Sequence, residues 1–260
     1  SYSVVISLLG EKAEVFRTKD VIKGEKFKAA AGSFLIKNSP QVQKSLPVLL
    51  EKWHLKAYGI EDISDIPKAS LKNPRVGIYQ SWRSNMDEGW TRYVFDDFEI
   101  PFITLHNKDF KATGKRKVDL KTKFDVIVFA DESPEVIKTG MPTPGSRRYT
   151  SYLDGFPPEY QGGLGNEGIE ALRAFVEQGG ILVTLNHASE LFIKEFRIPA
   201  SNVLERVSRD RFFCPTSLLK INVDNKSPIG YGMPTEAAAM FYQSLAFTTR
   251  ISSTGDLENE

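Results

Sequence analysis

The amino-acid sequence predicts an α/β fold built on a doubly wound, mainly parallel sheet with helices on both faces. Apolar runs such as residues 126–129 are continuous rather than alternating, which is typical of strands that are covered on both faces. Segments of helical periodicity separate these runs, as the right-handed crossovers of a parallel sheet require. Residues 167–189 combine a helical pattern, a stop at Gly179 and Gly180, a short apolar strand and a polar elbow. These observations favour a flavodoxin-like class.

Four strands and one connecting helix of this sheet can be placed along the chain. Each predicted strand is a short apolar run, and the helix carries Trp90, Val94 and Phe98 on one face. In parallel α/β sheets the working residues lie just past the carboxyl ends of the strands. The strands are predicted at residues 75–80, 101–105, 123–131 and 181–185, and the helix at residues 87–98.

The beginning of the chain predicts a smaller α/β segment. An opening helix is followed by strands at residues 13–17 and 34–36, and residues 41–53 have the pattern of an amphipathic helix. Ser39 and Pro40 supply ordinary start signals for that helix, and a proline-containing linker follows it. We therefore expect a small α/β segment with its linker at residues 1–71, a flavodoxin-like main domain at residues 72–250 and a frayed tail at residues 251–260.

Composition excludes several classes of function. Lys and Arg total 34 against 33 Asp and Glu, so a formal charge of +1 creates no field that would attract nucleic acid or an anionic membrane. No apolar run approaches the ~20 residues that span a bilayer, and the start lacks a signal-peptide pattern. The single cysteine, Cys214, allows no internal disulfide. Because the chain opens on an apolar helical run without Met, we expect it to be a piece of a longer polypeptide.

The elbow after the last predicted strand lacks the residues of a cysteine amidohydrolase. Such an enzyme needs a thiolate at the strand-to-helix turn and a histidine that acts as base. The elbow instead holds Asn186 and His187, and no histidine follows in the chain. The sequence therefore predicts that glutaminase chemistry is absent.

The residues at the elbow also give little support for a serine nucleophile or a metal site. Ser189 lacks the flanking glycines of a nucleophile elbow, so it is interpreted as a residue in the first turn of a helix. His187 near Asp131 or Asp87 lacks the ligand spacing of zinc sites, which favours a structural, hydrogen-bonded histidine.

The carboxyl edge of the sheet is nevertheless the place where a ligand would bind. Residues 80–90 follow the first strand of the sheet and line this edge, where Trp82, Arg83 and Asp87 could contact a ligand or equally cap a helix and pack against a neighbour. The candidate ligand-binding residues are Gln80, Trp82, Arg83, Asp87, Asp131, Asn186, His187 and Ser189.

A long insertion rich in proline and glycine separates the third and fourth strands. It spans residues 134–166, and insertions of this length in compact domains are uncommon and usually functional or mobile. Arg147, Arg148 and several aromatic residues favour a lid or a docking surface, whereas composition alone fits a plain surface loop equally well. Both interpretations stay open.

Six segments of the main domain carry motifs that are specific when taken together, at residues 75–82, 86–92, 124–131, 157–168, 175–183 and 229–234. In combination they resemble the C-terminal region of secreted bacterial zinc carboxypeptidase-like proteins. In that family a class I glutamine amidotransferase-like domain follows the peptidase domain. The resemblance implies a periplasmic or secreted protein whose zinc ligands and catalytic glutamate lie upstream of this chain, with no cofactor in the chain itself.

Three functions follow as hypotheses. The leading one is a non-catalytic accessory domain that packs on or modulates the peptidase domain of the same polypeptide, because the amidotransferase-like elbow lacks a cysteine and a later histidine. The alternative is a module that binds a peptide or a sugar at the carboxyl edge of the sheet. A third is a hydrolase, which would require Ser189, His187 and Asp131 to lie within hydrogen-bond distance of one another.

Overall fold

A computed structural model describes residues 1–24, 27–112, 118–141, 157–242 and 244–249. The contacts between Cα atoms divide the chain into two compact units. The first unit consists of residues 1–73, 97–100 and 216–242, and the second of residues 74–96, 101–215 and 243–260.

The first unit begins with two helices and five strands. Helix α1 packs against helix α2, and Val4, Leu8, Val15 and Val42 form its buried core. Strand β1 lies in the centre of an antiparallel sheet of order β4-β1-β5, while β2 and β3 form a separate hairpin. The elements are α1 (Tyr2–Gly10), β1 (Val15–Thr18), β2 (Ile22–Lys23), β3 (Lys28–Ala29), β4 (Phe34–Ile36), α2 (Pro40–Lys52) and β5 (Lys68–Ser70).

The start of α2 forms as the sequence predicts. The hydroxyl of Ser39 accepts a hydrogen bond from the backbone N–H of Val42, and Pro40 occupies the first helical position. A serine in this role satisfies one of the N–H groups that every helix leaves unpaired at its start. The predicted helix start is therefore confirmed.

The second unit is built on a parallel sheet. Its four strands have the order β7-β6-β8-β9, and every neighbouring pair is parallel. The predicted α/β class with a parallel sheet is confirmed. The elements are β6 (Val76–Tyr79), α3 (Met86–Asp97), β7 (Ile103–Leu105), β8 (Val126–Phe129), α4 (Pro134–Thr139), α5 (Gly165–Glu177), β9 (Ile181–Thr184), α6 (Ala188–Glu195) and β10 (Ala200–Asn202), with short 3-10 helices at Asn107–Phe110 and Pro158–Tyr160.

Both faces of this sheet carry apolar clusters. On one face, Phe129 and Ile127 pack with Phe175 of α5 and Phe192 of α6. The other face holds Val76, Ile78 and Val128, which pack against Phe95 and Phe102. The central strands β6 and β8 are buried on both faces and need continuous apolar sequences, which explains why they could be predicted from the sequence.

The apolar face that the sequence assigns to α3 does not point into the core. Trp90 is 60% exposed and Val94 is 48% exposed, whereas Phe95 packs against the sheet. The buried side of the helix also includes Glu88, whose carboxylate pairs with Arg92 one turn later. A paired carboxylate can be buried where an isolated one cannot, so the polar residues of α3 compete with its apolar ones for the inner face.

The amino ends of β6 and β8 are held together by an ion pair. The guanidinium of Arg75 donates to both carboxylate oxygens of Asp125 at 2.9 Å, and the backbone N–H of Arg75 donates to the same group at 3.0 Å. These hydrogen bonds from Arg75 hold the pKa of Asp125 well below its ordinary value. The pair fixes the register of the two central strands at the end opposite the candidate site.

Three strands follow late in the chain, namely β11 (Ser217–Asn222), β12 (Glu236–Phe241) and β13 (Phe247–Thr249). Strands β11 and β12 form an antiparallel hairpin in the first unit. Strand β13 pairs with β10 in the second unit.

The predicted insertion at residues 134–166 contains regular structure at both ends. Ser133 caps α4, and α5 begins at Gly165, while residues 142–156, including Arg147 and Arg148, lie outside the described residues. The tail at residues 251–260 also lies outside them. None of the helices in the described ranges combines the length and the apolar character that crossing a membrane demands.

Gly140 provides a test of how the insertion packs. It ends α4 with φ +77°, and a Cβ atom there would collide with the backbone of Gly162. We expect Gly140→Ala to lower the free energy of unfolding by more than about 2 kcal/mol, because it adds backbone strain to a steric clash. In contrast, Gly89→Ala in α3 meets open space and should be neutral or stabilising by up to about 1 kcal/mol. Urea denaturation of both variants measures the difference, and equal effects would contradict this packing.

Candidate functional site

The carboxyl edge of the parallel sheet gathers polar side chains from all four strands. A short polar segment begins within two residues of the end of each strand, and parallel pairing brings these segments to one edge. The segments contain His106 and Asn107 after β7, Gln80, Ser81 and Trp82 after β6, Asp131 and Glu132 after β8, and Asn186 and His187 after β9.

Asp131 is the centre of the hydrogen bonds between β8 and β9. Its Oδ1 accepts from the backbone N–H of His187 at 3.0 Å and lies 2.9 Å from Nδ1 of the same residue. Its Oδ2 accepts from the side-chain amide of Asn186 at 2.6 Å. One carboxylate therefore holds both residues of the elbow that precedes α6.

Asn186 adopts a turn conformation that explains why an asparagine stands there. Its φ of +45° lies in the left-handed region, which asparagine tolerates better than most residues. Its side-chain oxygen accepts a hydrogen bond from the backbone N–H of Leu245 at 2.9 Å. The elbow thus connects β8, β9 and the segment that leads into β13.

The geometry of His187 resembles that of a catalytic base in one respect. A carboxylate bonded to Nδ1 orients an imidazole and leaves Nε2 as the atom that can accept a proton. The side chains of His187 and Asp131 are 38% and 26% exposed. Asp131 and His187 therefore meet, as two members of a triad would.

Ser189 does not join this pair through a hydrogen bond in the described part of the chain. Its hydroxyl donates to the backbone carbonyl of Thr184 at 3.1 Å and accepts from the hydroxyl of Thr184 at 3.0 Å. The residue lies in the first turn of α6, as the sequence predicts. Its contacts fix the start of α6 to the end of β9.

A second pair of side chains joins the loops that follow β6 and β8. The hydroxyl of Ser81 donates to Oε1 of Glu132 at 2.8 Å, and Ser81 is only 6% exposed. Burial raises the pKa of Glu132 to about 7, and the negative charges of Glu88 and Asp131 add to this effect. The hydrogen bond from Ser81 and the positive charge of Arg83 oppose it.

Gln80 contacts the protein rather than the open edge. Its side-chain amide donates to Glu88 at 3.4 Å, and Glu88 also pairs with Arg92. Arg92 in turn donates to the hydroxyl of Thr104 on β7 at 2.9 Å. This chain of contacts attaches α3 to the sheet.

Trp82 lies between two aromatic neighbours. Its indole stacks on the His106 ring with centroids 3.8 Å apart, and Tyr160 of the insertion contacts it edge-on at 4.6 Å. His106 Nδ1 is 2.9 Å from the backbone carbonyl of Gln80. The indole N–H of Trp82 is buried and has no hydrogen-bond partner among the described residues.

Asn107 connects the insertion to the core of the sheet. It accepts a hydrogen bond from the hydroxyl of Tyr79 at 2.6 Å and donates to the backbone carbonyl of Gly162 at 2.6 Å. Burial raises the pKa of Tyr79, and the charge of Glu132 contributes to the shift. The segment around Gly162 therefore covers the end of the sheet where β7 and β6 terminate.

Asp87 belongs to the start of α3 rather than to the cluster of polar contacts. Its backbone N–H donates to the side-chain oxygen of Asn85 at 2.9 Å, and its carboxylate is exposed. Asn85 also donates to the backbone carbonyl of Asp131 at 2.9 Å. The cap of α3 is thus tied to the same loop that carries Asp131 and Glu132.

The elbow also contains a His-X-X-Glu spacing, at His187 and Glu190. Spacing of this kind occurs in zinc sites, but Glu190 here accepts from Asn202 at 3.0 Å and His187 contacts Asp131. Across the described residues, no group of three or more His, Cys, Asp or Glu side chains is placed to hold a metal ion.

Sequence reasoning therefore located part of the site and missed another part. Asp131, Asn186 and His187 come together as one network, while Gln80, Trp82 and Ser189 make contacts elsewhere on the same edge. Ser81, Glu132, Asn107 and His106 were missed, although each directly follows a predicted strand or lies two or three residues beyond it. Their position past the strand ends is the signal that could have found them.

No protein-family model matches this chain, and comparison with curated proteins finds no matching relative.

The role of Asp131 can be tested by removing its carboxylate. Asp131→Ala is expected to lower the free energy of unfolding by about 2–3 kcal/mol, because it leaves the donors of Asn186 and His187 without their acceptor. Asp87→Ala is the control, and should cost less than about 1 kcal/mol because its carboxylate is exposed. Chemical denaturation measures both, and an Asp131 effect no larger than the control would contradict the central role of this carboxylate.

Proposed function

We propose that this chain is a catalytically inert accessory domain whose main part has a flavodoxin-like, class I glutamine amidotransferase-like fold. The observation that carries the proposal is the use of the polar side chains at the carboxyl edge. Asp131 accepts hydrogen bonds from the side chain of Asn186 and from the backbone of His187, and it contacts the His187 ring. Ser189 donates to the backbone carbonyl of Thr184. At the elbow, where an active amidotransferase-like domain carries its nucleophile, the polar groups of this chain instead stabilise the turns around them.

The insertion supports the same conclusion from the other half of the edge. Tyr160 contacts Trp82, and the backbone carbonyl of Gly162 accepts from Asn107. Segments of the chain itself therefore cover the ends of β7 and β6, where a substrate of an active domain would enter.

The proposal places the domain in a larger protein. The motifs at residues 75–82 and 157–168 resemble those of domains that follow a zinc carboxypeptidase-like peptidase domain, which would be the partner within the same polypeptide. The same resemblance favours a periplasmic or secreted location. Metal chemistry is assigned to that peptidase domain, and this domain is proposed to pack on it or modulate it.

Hydrolysis assays on the purified chain test the inert character. With L-glutamine and p-nitrophenyl acetate as substrates, the chain and its His187→Ala and Ser189→Ala variants should turn over at the same rate, because Ser189 is bonded to Thr184 and not to His187. His54→Ala, which removes an exposed histidine in the first unit, accounts for background ester hydrolysis by imidazole. A glutaminase or esterase rate that falls in the His187→Ala or Ser189→Ala variant but not in the His54→Ala control would refute the proposal.

A second candidate function is a binding module for a peptide or a sugar. It is favoured by the partial exposure of His187 and Asp131, and by the buried indole N–H of Trp82, which finds no hydrogen-bond partner among the described residues. Such donors and acceptors at a sheet edge suit ligands that carry hydroxyl or amide groups.

The two candidates can be separated by NMR titration of the histidine ring signals with a panel of dipeptides and monosaccharides at millimolar concentration. If the chain is a binding module, the His187 ring signals should shift saturably. Asp131→Asn should weaken the affinity at least about tenfold, since a lost hydrogen bond to a charged group costs about 1.4 kcal/mol or more. His54→Ala should leave the affinity unchanged. Absence of any saturable shift across the panel would exclude this second function.

A further inference from the structure

We propose that a second copy of this chain docks on the face of the parallel sheet that carries α3, so that the α3 of each copy covers the β9 of the other. This pairing goes beyond the proposed function, because it concerns one face of the sheet and not the polar groups at its carboxyl edge. All the residues that form the docking surface belong to the second unit.

Strand β9 exposes an apolar side on the α3 face of the sheet. Val183 is in register with Val128, which packs in the same cluster as Phe95 of α3. Residues in register on parallel strands point to the same face, and Ile181, two residues earlier, points the same way as Val183. Ile181 is nevertheless 58% exposed and Val183 is 37% exposed. Because strands of parallel sheets are ordinarily covered on both faces, an apolar strand of this kind needs a helix over it.

The space over β9 has the width of one helix. Among the described residues, α4, α5 and α6 contribute to the cluster around Phe129, whereas α3 supplies the helical residue of the cluster on the other face. Helix α3 packs over β6 and reaches β7 through Arg92. Strand β9 lies two strands beyond β6, a distance of about 10 Å, which equals the usual spacing of packed helices. A helix placed beside α3 would therefore lie directly over β9.

The outer side of α3 is itself apolar. Met86, Trp90 and Tyr93 lie on one side of the helix, about 140–180° around its axis from Phe95, which packs on the sheet. All three are exposed, and the rings of Trp90 and Tyr93 contact each other edge-on. Each copy thus offers both a strand that needs a helix and a helix whose outer side needs a sheet, and contiguous apolar surfaces of this kind mark interaction sites.

A two-fold axis parallel to α3 satisfies both surfaces at once. It places the two α3 helices side by side in one layer between two sheets, with the β9 of each copy against the outer side of the other copy's α3. The twelve residues of α3 span about 18 Å, which is enough to cover the roughly 13 Å from Ile181 to Leu185. The same patch is used by both copies, as in most protein dimers.

The area of the surface is sufficient for a stable pair. Its main exposed apolar side chains are Met86, Trp90, Tyr93, Val94, Ile181 and Val183. Complete coverage of these side chains would bury on the order of 700 Å² in each copy and about 1,400 Å² in the pair, which lies within the range of stable interfaces. The exposed acidic residues Asp87 and Asp96 lie beside this stripe on α3. The surface therefore has the apolar centre and polar rim of a protein–protein interface.

Analytical ultracentrifugation of the full chain at about 1–100 μM tests the pairing. A species of about 58 kDa, twice the 29.2 kDa of one chain, should be present. Ile181→Lys should raise the dimer dissociation constant at least about 100-fold, because it buries a charge without a partner. The matched control is Ile103→Lys, since Ile103 is 60% exposed but is in the same row as Ile127 on the opposite face. This variant should dimerise like the unmodified chain.

A mixture of two variants tests whether the contact is reciprocal. Helix α3 begins at the carboxyl edge and runs back toward the amino ends of the strands, so Ile181 at the start of β9 should face the region of Tyr93 in the other copy. Tyr93→Glu alone should also weaken the dimer. An equimolar mixture of Ile181→Lys and Tyr93→Glu should associate at least about tenfold more tightly than either variant alone, because opposite charges then meet at one contact while the second keeps its native residues.

Circular dichroism of each variant confirms that it is folded before its association is compared. A 29.2 kDa monomer over the whole concentration range would overturn the pairing. So would a dimer that Ile181→Lys leaves intact, a dimer that Ile103→Lys weakens equally, or a mixture that associates no more tightly than its components. None of these results bears on the proposed inert character, which the hydrolysis assays decide separately.

Discussion

The carboxyl edge of this domain depends on one carboxylate. Asp131 accepts hydrogen bonds from the backbone of His187 and from the side chain of Asn186, and its own backbone carbonyl accepts from Asn85. The elbow after β9 and the cap of α3 are therefore both held by a single residue placed just past the central strand β8. Because those donors would otherwise lie partly buried and unpaired, the arrangement is stable only while the carboxylate is present. The residue with positive φ, Asn186, and the residue that precedes α6, His187, are both bonded to this carboxylate.

Glu132, the next residue in the chain, lies in a different electrostatic environment. Asp131 is surrounded by donors, whereas Glu132 receives one hydrogen bond from Ser81 and faces two other carboxylates. The two adjacent acidic residues thus differ in their surroundings, since Asp131 fixes the elbow and burial raises the pKa of Glu132 to about 7. At the amino end of the same strands, the Arg75–Asp125 pair fixes the register. Polar contacts therefore tie the two central strands at their amino ends and tie β8 to the elbow after β9 at the carboxyl edge.

The sequence predicted the central strands β6 and β8 well because burial on both faces demands continuous apolar runs. It also identified Asp131, Asn186 and His187 from their position after strand ends. The inner face of α3 was predicted wrongly, because the burial of Glu88 depends on a pair with Arg92 and not on hydropathy. The Ser81–Glu132 contact could not be predicted, since it requires two loops to be brought together by the pairing of β6 with β8. The local hydropathy pattern indicates which segments are buried, whereas the hydrogen-bond partners of polar side chains depend on the tertiary structure.

A double-mutant cycle between Asp131 and His187 tests most directly whether this carboxylate organises the edge. The free energies of unfolding of Asp131→Ala, His187→Ala and the double variant should give a coupling energy of about 1–2 kcal/mol, because the two side chains are hydrogen-bonded. A parallel cycle between Asp131 and the exposed Glu135 should give a coupling below about 0.5 kcal/mol. If the Asp131–His187 coupling is no larger than that of the control pair, the carboxylate does not organise the elbow.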